Sequence, residues 1–76
     1  MTVEIRTYRG LRRDVGEKRI EWDVEPGATV GEVLSRFAET YDVDESDVLV
    51  MKNGTHVEFI EGESTPVEEG DTLSFS

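Results

Sequence analysis

Polar and apolar residues alternate in short stretches toward both ends of the chain, and a helical period occupies the middle. From Thr2 to Tyr8, Val3 and Ile5 point one way and Glu4 and Arg6 the other, the period-two pattern of a half-buried strand. Residues 9–17, RGLRRDVGE, carry two glycines and read as a turn with a short excursion. Lys18 to Val24 alternates again, with Ile20, Trp22 and Val24 set against Arg19, Glu21 and Asp23. The two runs are expected to pair as an antiparallel hairpin, with Trp22 supplying much of the core.

Pro26-Gly27 breaks that strand, and the period then changes. Thr29 and Glu32 have the spacing of a capping box, in which the hydroxyl accepts from the Glu32 amide and the carboxylate reaches back to the Thr29 amide. Val30, Val33, Leu34, Phe37, Ala38 and Tyr41 fall on one face at helical spacing, so a helix is expected from Val30 to about Tyr41. Residues 44–47, DESD, form a solvated turn. Val48 to Lys52 is a strand, Asn53-Gly54 is a hairpin turn needing positive φ twice, and Thr55 to Ile60 is the partner strand. A longer connection leads to a last strand from Thr72, with Leu73 and Phe75 on one side. The order β-β-α-β-β-β describes one α+β domain over residues 1–76, a mixed sheet of about four to five strands with one main helix on one face.

Composition narrows the function. A chain of 76 residues buries only about 60% of its unfolded surface, which leaves little room for a deep enclosed pocket. There is no Cys, hence no disulfide framework and no thiolate metal site. No apolar run approaches the roughly 18 residues of a membrane span, and MTVEIRTYRG is too polar for a signal peptide, so a cytoplasmic monomer is expected. Eighteen acidic against eight basic residues give a net charge of −10, which argues against nucleic acid as a partner and is the balance expected of a high-salt cytoplasm. The charge is uneven: residues 1–19 hold six basic and three acidic groups, and residues 20–76 two basic and fifteen acidic. Arg9, Arg12, Arg13, Lys18 and Arg19 flank the first turn, either as a docking point for an acidic partner or as a solvated loop.

Catalytic chemistry finds little support. The one His, His56, follows the Asn53-Gly54 turn and reads as a hairpin residue, and no nucleophile elbow is present. The acidic runs lack the spacing of a calcium loop, and GLRRDVG lacks that of a phosphate loop; no cofactor, metal or catalytic residue is assigned. A binding surface has more behind it. Val48 to Met51 is a continuous apolar run, so both faces of that strand are apolar while the helix covers one face of the sheet. Leu49, Met51, His56, Phe59 and Phe75 are the candidate partner surface; the alternative is that they lie in the core.

The order of these segments resembles the ubiquitin-like β-grasp proteins, most closely the sulfur carriers of the molybdopterin-synthase small-subunit kind and the small archaeal modifiers. VEIRTYRGLRRDVG resembles their opening strand and loop, PGATVGEVLSRFAETYD their helix, MKNG their third-strand hairpin, and TPVEEGDTLSFS the approach to their final strand. The resemblance spans essentially the whole chain. It implies a last strand inside the sheet and partners met through the open sheet face. It also implies a terminal carboxylate that an ATP-dependent enzyme adenylates, for sulfur transfer or for joining to a protein target. The family's strand continues into a short tail ending Gly-Gly, whereas here Ser76 stands where a second aromatic is usual and no diglycine follows. Two readings stay open: a modifier or sulfur carrier without its tail, or a diverged, tailless module that binds partners non-covalently.

Overall fold

The computed structural model describes residues 1–76. Its strands are β1 (Thr2–Thr7), β2 (Arg19–Asp23), β3 (Val50–Lys52), β4 (Thr55–His56) and β5 (Thr72–Phe75); its helices are α1 (Arg9–Val15) and α2 (Val30–Tyr41). The strands form one mixed sheet in the order β2-β1-β5-β3-β4, with β1 and β5 parallel and every other pair antiparallel. The α+β, ubiquitin-like β-grasp architecture is thus present, with β5 in the middle of the sheet.

Alternation decides which side chains the sheet buries. Val3 and Ile5 of β1, Val50 of β3, and Leu73 and Phe75 of β5 all face α2. From α2, Val30, Val33, Leu34 and Phe37 answer them. Phe37 is the centre of this layer: its ring meets Phe75 edge-on at 4.8 Å between centroids and Tyr41 at 5.0 Å. Such pairs add about 0.5–1.5 kcal/mol beyond the area they bury.

The helix starts as its sequence predicts, with one difference. Thr29 Oγ1 accepts from the Glu32 amide at 3.3 Å, but the Glu32 carboxylate accepts from the Thr29 hydroxyl at 3.5 Å rather than from its amide. The backbone on either side of Thr29 is engaged elsewhere: Val30 N–H donates to Thr65 C=O and Val67 N–H to Ala28 C=O, a bridge that ties the helix start to the strand approaching β5. The hairpin turn is as expected, with Asn53 and Gly54 at φ of 50° and 88°.

Four expectations need correction. Residues 9–17 are not merely a turn, because α1 occupies most of them and lays Leu11 and Val15, four apart, against the rim of the core. Trp22 is only half-buried; its ring centroid is 6.3 Å from that of Phe37, and the Arg36 guanidinium lies over the ring at 4.1 Å. The partner strand does not run to Ile60: β4 ends at His56 and the chain winds into a 3-10 turn over Val57–Phe59. With three residues per turn, Val57 and Phe59 no longer share a face, so Val57 enters the core and Phe59 is left outside. Phe75 is not a surface residue, since its ring is fully buried against Phe37.

No helix is long and apolar enough to cross a membrane.

Candidate docking face around the last strand

Because α2 covers one face of the sheet, residues of opposite parity lie on the other. In β3 and the residue before it, the parity that buries Val50 turns Leu49 and Met51 outward, 55% and 37% exposed. Met51 stands opposite Ser74 of β5 on one side and opposite His56 of β4 on the other. Tyr8, just after β1, completes the group; its amide donates to Phe75 C=O at 3.0 Å. Tyr8, Arg9, Leu49, Met51, Gly54, Ser74 and Ser76 line one shallow depression. An apolar floor and the end of β5 therefore lie side by side.

His56 is half-buried, with its ring edge 5.9 Å from Phe59 and its Nδ1 buried without a hydrogen-bond partner. Phe59 is 85% exposed, an unusual state for that side chain. Of the five residues expected at a partner surface, Leu49 and Met51 come together on the open face with His56 beside them. Phe59 flanks His56, and Phe75 belongs to the core. Sequence reading missed Tyr8 and Ser74. Tyr8 could have been found from the parity of β1, which assigns Arg6 and Tyr8 to the face opposite Ile5.

Toward β2 the same face turns basic. Arg6, Tyr8, Arg12, Lys18 and Arg19 surround a second cleft. Glu4 bridges Arg6 at 2.7 Å and Arg19 at 2.9 Å. The Arg6 guanidinium is held more firmly protonated than usual, first by the hydrogen bond it donates to the Glu4 carboxylate and second by its hydrogen bond with Tyr8. Arg12 donates from Nε to Thr7 C=O at 2.8 Å and lies over the Tyr8 ring at 5.3 Å.

The start of β5 is braced by a polar network. Asp71, immediately before β5, accepts from Asn53 Nδ2 at 2.9 Å and from the Glu68 amide at 2.7 Å, and Lys52 Nζ lies 3.4 Å away. Asn53 Oδ1 in turn accepts from the Thr72 amide at 2.9 Å. Burial acts to raise the Asp71 pKa and is the largest single influence. The Asn53 and Glu68 hydrogen bonds and the Lys52 charge together outweigh it, so the carboxyl titrates below the usual range. This network fixes the β3–β4 hairpin to the start of the last strand.

The final strand thus lies inside the sheet, and the open face beside its C-terminal end is apolar. Residues 6–75 match the ThiS family. Small archaeal modifier protein 3 of Haloferax volcanii is 34% identical over 84 aligned positions, covering 97% of this chain and 91% of the relative. A Haloferax volcanii protein of known solution structure is likewise 34% identical, with a TM-score of 0.85 over 99% of this chain and 80% of that one. The fold is shared with a putative molybdopterin converting factor subunit 1 from Pyrococcus furiosus, at 19% identity and a TM-score of 0.82 over 97% of this chain and 93% of that one. The chain belongs to the ThiS family, the ubiquitin-like group of small archaeal modifiers and sulfur carriers.

Proposed function

We propose that the protein acts in the cytoplasm as a ubiquitin-like small modifier or sulfur carrier. Its reactive group is then the carboxylate that ends the polypeptide, activated by an ATP-dependent partner enzyme. The observation that supports this most is the position of β5. It is hydrogen-bonded on both sides, by β1 and β3, and it points its C-terminal end past Tyr8, Leu49 and Met51. A carboxylate delivered into another protein's nucleotide site must be held in register with a docking surface, since positioning supplies much of the rate in such a transfer. Ser76 is itself in the ladder, donating to and accepting from Leu49. The reading therefore requires a few further residues that leave the sheet, and glycines suit them because an extended backbone without Cβ atoms can thread a narrow channel.

Intact mass of the protein purified from its own source is the test. A mass larger than that of these 76 residues, with a terminal fragment ending Gly-Gly, supports activation at the carboxylate. ATP-dependent pyrophosphate exchange with the partner enzyme would then follow. A mass equal to that of the 76 residues moves the function to non-covalent binding through the open face, the second reading, which the exposure of Leu49, Met51 and Phe59 favours.

The net charge of −10 supports a working environment of high ionic strength. The Debye length there falls from about 10 Å to about 3 Å, and repulsion among the carboxylates is screened.

A further inference from the structure

Six of the eight basic residues lie within residues 1–19, and the fold gathers four of them around one cleft where β1, α1 and the start of β2 meet. Internal pairing does not consume this charge. The cleft holds Arg6, Arg12, Lys18 and Arg19, and one carboxylate, Glu4, serves both Arg6 and Arg19. Arg12 and Lys18 take part in no ion pair; Arg12 is held by its bond to the Thr7 carbonyl and by its place over the Tyr8 ring. These four cations share a single ion-paired carboxylate, which leaves a local excess of positive charge on a chain that is strongly negative overall. Tyr8 lines both this cleft and the depression that holds Leu49 and Met51, so the basic and apolar surfaces are continuous.

We propose that this joint surface takes an acidic segment of a protein partner. Its carboxylates would sit in the cleft of Arg6, Arg12, Lys18 and Arg19, and an apolar side chain would lie against Tyr8, Leu49 and Met51. Charge complementarity identifies the occupant. Guanidinium groups present the fork that matches a carboxylate, and the apolar half has no counterpart in a phosphodiester chain. A long polyanion would also meet the acidic remainder of the molecule, whereas a short acidic segment feels mainly the charges it touches, since the Debye length at high ionic strength is only about 3 Å. The proposal rests on the functional reading above only in taking the partner to be a protein. It requires no activated C-terminus.

The experiment is a titration of the isotope-labelled protein, followed by amide chemical shifts, with a synthetic peptide of repeated Glu-Glu-Leu units. Its Gln-Gln-Leu counterpart and a deoxythymidine oligonucleotide of equal length serve as comparisons. The acidic peptide is expected to shift the amides of Tyr8, Arg12, Lys18, Arg19, Leu49 and Met51, and added salt to weaken it. Lys18→Glu should reduce affinity about tenfold, as reversal of a charge at a complementary interface does. Because the Lys18 ammonium makes no ion pair or hydrogen bond, this variant keeps its fold, and an otherwise unchanged spectrum verifies that. Equal binding of the Gln peptide, shifts confined to another surface, absence of binding, or an unaffected Lys18→Glu variant would each overturn the proposal. Tighter binding of the oligonucleotide to the same residues would overturn it in favour of a nucleic acid. These outcomes are independent of the native mass, which tests the modifier reading by itself.

Discussion

Leu49 and Ser76 exchange both of their backbone hydrogen bonds, Leu49 N–H to Ser76 C=O at 2.8 Å and Ser76 N–H to Leu49 C=O at 3.0 Å. The pairing therefore continues one residue past β5, and the side chain before it, Phe75, is locked into the core. Phe75→Ala should cost about 3–5 kcal/mol, because it removes the ring that packs edge-on against Phe37 and leaves a cavity. That is a large share of the stability of so small a domain. Urea unfolding checks the value. A loss under about 1 kcal/mol would mean that Phe75 is not the core residue described here.

The strand pattern foretold this core but not its limits. Val3, Ile5 and Leu73 alternate cleanly and are fully buried, and the α2 stripe packs as its spacing requires; Phe75, expected at the partner surface, is buried with them. The sequence could not say where β4 stops, since His56 to Phe59 alternates like a strand and only the three-dimensional site turns it into a 3-10 turn. The glycines at 10 and 16 hid α1, although the spacing of Leu11 and Val15 was there to be read. The candidate site was half legible. Parity separated Leu49 and Met51 from Val50, while assigning Phe75 to a face needed the position of α2.

Asp71 gives the fold an acid limb. Its folded-state pKa is depressed, so the contribution is fully present above the unfolded value of about 3.9 and is lost as pH falls through the lower folded value. Stability should therefore decline below about pH 4. Asp71→Asn should flatten that decline and lower stability at neutral pH by about 1–3 kcal/mol, since hydrogen bonds to a charged acceptor are the stronger kind. Thermal unfolding midpoints of the two proteins between pH 2 and 7 decide it. Parallel curves would assign the acid sensitivity to other carboxylates.

Gly31 is the second residue of α2, where alanine ordinarily gains about 1 kcal/mol over glycine. Here a Cβ would meet Glu63 Cβ at 3.0 Å and the Glu63 carbonyl oxygen at 3.1 Å. Glu63 lies in the 3-10 turn Gly62–Ser64, next to Thr65, whose carbonyl accepts from Val30, so the turn cannot retreat without straining the helix start. Gly31→Ala is expected to be destabilising by about 1–2 kcal/mol, the cost of overpacking exceeding the gain in propensity. Calorimetry that found the variant more stable would show that the turn yields freely.

The exposed side chains divide stability from function. Leu49 and Met51 project from the open face and Phe59 from a turn, and none of the three fills a space in the core. Leu49→Ser with Met51→Ser, and Phe59→Ser separately, should each leave unfolding stability within about 1 kcal/mol of the parent. If the face beside β5 docks the activating partner, the double variant should bind it at least about tenfold more weakly, because apolar side chains near the centre of an interface dominate affinity. Phe59 lies beyond His56 from the end of β5, so Phe59→Ser should weaken binding less. Calorimetric titration of the partner with the three proteins separates the cases. Equal affinity throughout would remove the open face from recognition, while a larger loss from Phe59→Ser would move the docking centre to the β4 edge of the sheet.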